Sequence, residues 1–406
     1  MKTNKNIFLF SFAISLFILL ITIFPNKFYW VDDYYIIKDL EENGLKNIFY
    51  KFNSHFIVFT KFLFFLDIKY LNYNPTIYSF LSLALIILSF LMIIKIINQY
   101  KFEKKFFFLF LVIIFSPKIF VSISQPINIT WFLSLFLTSI FFYFYEKNFK
   151  LSIIFLYLNF LNFSFGLILC FFLIIRFLLK KFLKSNNKND NLYFINSILL
   201  ILTYLFFTEG SSNLILSDVY KKVPLIIFNF FSLLGNFYLP WIKSLVYLGF
   251  IIGVLQFLIM KFIFRLDMKN ILNNNFILFG IIFCLLTSIF RPELYNSISP
   301  RYVLGTIFFQ IGFIIEFLKI KKINNKILIS YIFSLIILFN FFTPYLGFHW
   351  QINRAYKSKL IEECFYKNEI NDKCYKFSQK ILFYNKMTFN EEKFKNIIDK
   401  TIERKF

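Results

Sequence analysis

Long apolar runs separated by short polar clusters set the rhythm of this chain. Runs lie at 7–24, 76–97, 106–122, 127–145, 150–161, 163–180, 191–208, 242–263, 275–290, 302–319 and 326–343. Most approach the roughly 20 apolar residues a helix needs to cross a hydrocarbon core. Backbone groups in lipid must find partners within their own segment, which favours helices. The pattern therefore predicts an all-α, polytopic helical membrane protein with about 11 transmembrane helices. The pair at 150–180 divides near Asn159–Ser164, where polar residues and Gly166 interrupt the run.

Two stretches break the rhythm. In 25–75, both Asp32–Asn43 and Lys46–Tyr70 carry apolar residues at helical spacing, with Gly44 between them. Two amphipathic helices lying in the membrane plane are expected there, in a first outer loop. Residues 223–239 are apolar but include Pro224, Asn229, Gly235 and Asn236, which predicts a re-entrant or interfacial piece rather than a simple span. The expected organisation is one transmembrane domain over 1–343 and a small extracytoplasmic tail over 344–406.

Composition narrows the class. The chain is 58% hydrophobic and 17% charged, too apolar for a soluble protein of its size. It has 66 Phe but only three Ala (Ala13, Ala84 and Ala355). With abundant Lys, Asn and Ile this reads as AT-rich codon usage, so the Phe content carries no functional signal. A net charge of +23 raises nucleic acid as a partner, but the distribution of basic residues excludes it. They cluster between apolar runs: Lys101, Lys104 and Lys105; Lys180, Lys181, Lys184 and Lys188; Lys261, Arg265 and Lys269; Lys319, Lys321, Lys322 and Lys326. Such clusters anchor cytoplasmic loops and attract anionic membrane lipids. They set a cytoplasmic (inner) membrane topology with the N-terminus inside and the C-terminal tail outside. No small-residue cleavage site follows the first run, which reads as an uncleaved helix.

Cys170 and Cys284 fall inside apolar runs as packing residues. Cys364 and Cys374, in the polar tail, are the candidate disulfide pair in an oxidising compartment.

The candidate chemistry gathers on the outer face. Asp32 and Asp33 follow the first run, where they would serve as a general base or orient a ligand; either would also suit a helix N-cap. His55, in Asn53-Ser54-His55, and Lys61 stand where they could address a headgroup. Arg291 and Arg301 bracket a short loop on the side where positive-inside bias does not ask for arginine, and guanidinium suits bidentate phosphate binding. Gln125 and Asn128 can hydrogen-bond a sugar, and Trp131 can stack on one. Glu209 has a weaker claim. The chain has no glycine-rich phosphate loop and no metal-ligand cluster. No cofactor is assigned, and assistance by a divalent metal ion stays open.

Together these residues resemble the GT-C superfamily of multi-pass glycosyltransferases. The matching points are Asp32-Asp33 with the helices after it, Asn53, His55 and Lys61, the Gln125-Asn128-Trp131 turn, Leu234-Gly235, and Ser299-Pro300-Arg301-Tyr302. Lys61 stands where arginine is usual, and Pro300 intervenes before Arg301. The resemblance implies an enzyme whose donor is a polyprenyl-phosphate-linked sugar. Its acceptor would be a surface glycan, a lipid-linked oligosaccharide or another acceptor. Asp32 or Asp33 would act as base, with Arg301 and Tyr302, helped by Lys61 or His55, at the phosphate. An O-antigen polymerase and a polytopic transporter or lipid flippase are the competing readings.

Overall fold

The structure is a computed structural model that describes residues 31–52, 55–100, 125–185, 187–207, 216–239, 245–264, 267–291 and 300–319, with isolated positions between 110 and 123. The expected runs at 7–24 and 326–343, most of 106–122, and the Cys364 and Cys374 pair lie outside the described residues. Among the described residues the fold is all-α, and no strand forms beyond a single antiparallel bridge between Phe52 and His55.

The long helices stand where the apolar runs predict them. They are α3 (Pro75–Ile97), α4 (Ile129–Tyr145), α5 (Phe149–Asn162), α6 (Phe165–Phe182), α7 (Lys188–Phe206), α9 (Val246–Leu258), α11 (Asn275–Phe290, preceded by the short α10, Met268–Asn273) and α12 (Val303–Lys319). Their starts follow local chemistry. Asn74, Asn148, Asn187 and Asn274 each accept a backbone N–H at a helix N-terminus through the side chain. Two stretches, Pro75–Tyr100 and Pro126–Tyr145, are long and apolar enough to cross a membrane, by length and composition; α5 and α11 are shorter apolar helices.

Two local expectations change. Residues 223–239 do not break into an irregular piece. They continue α8 (Leu216–Gly235), with Pro224 inside the helix, and end in a 3-10 turn at Asn236–Tyr238. The polar residues there face inward: Asn229, Ser232 and Asn236 are buried. Gly253 explains how α8 and α9 come so close, because a Cβ at that position would run into the Phe231 carbonyl. Small residues allow this kind of helix approach. In the first loop, α1 (Val31–Asn43) matches expectation. The second helix starts late, as α2 (Val58–Leu66), because the backbones of Phe52 and His55 pair with each other just before it.

The loop helices are tied to each other and to the bundle. Lys61, 1% exposed, donates to Asp39 Oδ2 at 2.8 Å and to the Asn47 carbonyl at 2.9 Å. Asn47 Nδ2 also reaches Asp39 Oδ1 at 2.7 Å. Burial alone would raise Asp39, but hydrogen bonds from Lys61 and Asn47 and the Lys61 charge outweigh it and lower the carboxyl below its ordinary value. An apolar cluster of Ile36, Ile37, Leu40, Ile57, Phe64, Tyr73, Tyr78 and Ile129 joins α1 and α2 to the starts of α3 and α4.

The two ends of the bundle differ. Trp131, Phe165 and Tyr302 meet at the N-terminal ends of α4, α6 and α12. Basic residues gather at the C-terminal ends of α6 and α12. There Lys180 pairs with Asp190 at 2.9 Å, and Lys319 Nζ lies 5.2 Å from the Tyr100 ring centroid. Arg176, 5% exposed, donates to the Leu272 carbonyl and to Asn275 Oδ1.

Candidate functional site

The site is built from helix beginnings. α4, α6 and α12 start on the same side, and the first residues of each meet in a chain of aromatic contacts. The His55 ring lies 4.8 Å from Phe163, edge to face. Phe163 lies 4.8 Å from Trp131, and Trp131 lies 5.3 Å from Tyr302, again edge to face. The Arg301 guanidinium lies 5.7 Å from the Tyr302 ring centroid. Residues 55, 131, 301 and 302, far apart in sequence, are thus linked through a few side-chain contacts.

The turn between α5 and α6 positions this group. Phe163 is extended, and Ser164 begins α6. Gly166 lets the chain reverse so tightly, since a Cβ there would strike the Phe160 backbone. Ser164 does not use its hydroxyl to cap α6. Instead Ser164 Oγ lies 2.7 Å from His55 Nδ1.

The electrostatics are strongly positive. Burial is the largest cause lowering His55, followed by the Arg291, Arg301 and Lys51 charges, which together bring it to about 4. The imidazole is therefore neutral at pH 7. Arg291 ends α11 and is exposed. Arg301 lies in the short 3-10 turn Pro300–Tyr302 before α12, and its Nε is buried with no hydrogen-bond partner among the described residues. The N-terminal ends of α4, α6 and α12 add partial positive charge of their own. Arginines, a lysine and helix N-termini facing one place form an anion-attracting surface.

Asp33 joins the turn that leads into Trp131. The residue is fully buried and its Oδ1 accepts the Ile127 N–H at 2.8 Å. This contact puts a carboxylate on the N-terminus of α4, where the helix dipole favours it, and ties the start of α1 to the Gln125–Trp131 turn. Phe163 joins the two halves, since it packs against the α1–α2 cluster and also touches His55. The Asp32 side chain lies outside the described residues.

The other sequence candidates take different places. Lys61 holds α1 to α2 through Asp39 and Asn47. Asn128, 2% exposed, donates to Gln125 Oε1 at 2.8 Å and to the Ser122 carbonyl at 3.0 Å, so this pair shapes the turn before α4. Glu209 lies outside the described residues. Among the described residues no group of three or more His, Cys, Asp or Glu side chains is arranged to hold a metal ion. Cys170 and Cys284 are fully buried packing residues.

Sequence reasoning missed three contributors. Lys51 donates to the Tyr204 carbonyl at 3.0 Å and lies 3.9 Å from that ring centroid, which pins the His55 segment to the end of α7. Phe163 and Ser164 also escaped notice. Their signal was the polar break between α5 and α6, legible as a turn but silent about what would face it. No family model matches the chain, and neither does any curated protein or solved structure.

Proposed function

We propose that the chain is a polytopic membrane glycosyltransferase that moves a sugar from a polyprenyl-phosphate carrier to an acceptor on the outer membrane face. The observation that carries this reading is the convergence of His55, Trp131, Arg291, Arg301 and Tyr302 around helix N-termini, with the buried Asp33 carboxylate bonded to the turn before α4.

The membrane part rests on an inverted distribution of side chains. On α3, Ser79, Ser82 and Ser89 are buried while Phe80, Leu88 and Leu91 are exposed. On α7, Ser197 is buried and Ile195, Leu199, Leu202 and Phe206 are exposed. On α9, Gln256 is buried and Ile251, Leu255 and Leu258 are exposed. Apolar stripes of this extent call for a non-aqueous surrounding, and polar groups inside suit helix contacts in lipid.

The proposed chemistry is one displacement. Arg301 and Arg291 hold the carrier phosphate, with His55 beside them, and the buried Trp131 packs against Tyr302 next to Arg301. The acceptor oxygen forms a bond to the anomeric carbon as the bond from that carbon to the phosphate oxygen breaks. The electron pair leaves with the phosphate, where the cations stabilise the developing charge. Asp33, or its neighbour Asp32, receives the acceptor proton. Attack opposite the leaving group inverts the anomeric centre.

Mass spectrometry of surface glycans in a strain lacking the protein tests this. One missing hexose or pentose, restored by the wild-type chain and not by Asp33→Asn, is expected. The side-chain amide of that variant keeps an oxygen to accept the Ile127 N–H, so it retains the local fold and loses the base. Full restoration by Asp33→Asn, with Asp32→Asn equally active, removes the proposed base. Accumulated single repeat units would instead assign a polymerase, and unchanged glycans with altered lipid flux a transporter.

A further inference from the structure

Ser164 stands at the start of α6 with its hydroxyl turned away from the usual capping role. N-terminal serines normally accept from the first-turn N–H groups. This one lies 2.7 Å from His55 Nδ1, on an element more than a hundred residues away in sequence. Such contacts fix which imidazole nitrogen carries the proton.

We propose that Ser164 is a positioning residue that donates its O–H to His55 Nδ1, leaving the proton on Nε2 to bind a phosphoryl oxygen held by Arg291 and Arg301. Two arguments fix the direction. The positive end of α6 lies behind Ser164, which favours the hydroxyl oxygen's lone pairs on that side and the proton on the side of His55. The Arg291, Arg301 and Lys51 charges all act on the imidazole, so the ligand drawn here is an anion. A lone pair on Nε2 would repel that anion, whereas Nε2–H donates to it. Phe163, edge to face with the ring at 4.8 Å, holds its plane while Ser164 sets its protonation. Sequence reading assigned no role to Ser164, and the proposal rests on the phosphate-binding reading above.

The test uses the full chain in lipid nanodiscs with nitrogen-15-labelled histidine. The chain has 2 histidines, and His349→Gln assigns the His55 signals. At pH 7 a neutral imidazole with the proton on Nε2 is expected in the wild type. Ser164→Ala should give a mixture of tautomers and Ser164→Thr should restore the single form. Because Ser164 does not cap α6, the alanine variant is expected to keep the wild-type fold, and the threonine variant checks that the hydroxyl itself matters. Binding of a polyprenyl phosphate should weaken about tenfold in Ser164→Ala and recover in Ser164→Thr, the scale of one hydrogen bond to a charged group. Inorganic phosphate added as competitor separates the sources of the anion: no displacement supports a lipid-borne phosphate, and full displacement supports a soluble one held by the same residues. A proton on Nδ1 in the wild type, or a wild-type tautomer and affinity in Ser164→Ala, overturns the proposal. The stated tautomer with no phosphate ligand bound at all overturns the preceding functional reading, and with it the anion role of His55, while the Ser164–His55 hydrogen bond would stand.

Discussion

His55 shows how a single residue can report on its surroundings. Burial and the Arg291, Arg301 and Lys51 charges bring it from an ordinary value of 6.5 to about 4. The unfolded chain therefore binds a proton between those values that the folded chain does not. The associated stability is fully present above pH 6.5, declines as the pH falls, and is gone below pH 4. The size of the effect is about 3 kcal/mol. His55→Asn should flatten this acid limb, so thermal stability in detergent would fall less steeply between pH 6.5 and 4 than in the wild type. Identical slopes would mean that burial and the nearby cations do not depress the imidazole. Lys61 teaches a related lesson in reverse. A lysine at a membrane boundary reads as a headgroup contact, yet here its ammonium is buried in an ion pair with Asp39, and it acts by holding two helices together.

At the scale of elements, helix positions were legible because apolar length and asparagine caps act locally. The runs at 275–290 and 302–319 appear as α11 and α12 within a residue. The interruption of 150–180 is also where the chain turns, at Phe163–Ser164. Contacts between elements were not legible in the same way. Pro224 and Asn229 read as part of a re-entrant or interfacial piece; the stretch is helical, and α8 runs through both with Asn229 buried in the bundle. Asp33 read as a base or a cap for its own helix. It also accepts a hydrogen bond from the turn that opens α4, a pairing across 94 positions that no local pattern carries. The α5–α6 turn is the most demanding element, since Ser164 must reach His55. Gly166→Leu should open it, because any Cβ there meets the Phe160 backbone. A loss of at least about 2 kcal/mol is expected by thermal unfolding, along with loss of the single His55 tautomer. Wild-type stability in that variant would show that the close approach is unnecessary.

For the whole molecule, segregation matters more than any one contact. One end collects Asp33, His55, Arg291 and Arg301, and the other collects Arg176, Lys180 and Lys319. Apolar stripes on α3, α7 and α9 lie between them. The basic clusters and apolar runs made this polarity readable from sequence. The meeting of three helix N-termini at one place was not readable, because it depends on how the helices pack. A bundle with such ends suits a substrate that enters from lipid and presents its phosphate at the boundary. Binding of a polyprenyl phosphate to the full chain in nanodiscs, compared with Arg291→Ala/Arg301→Ala, tests this most directly. The double variant is expected to lose at least about tenfold in affinity while unfolding at the wild-type temperature. Equal affinity in the two proteins would contradict a shared phosphate site at those helix N-termini.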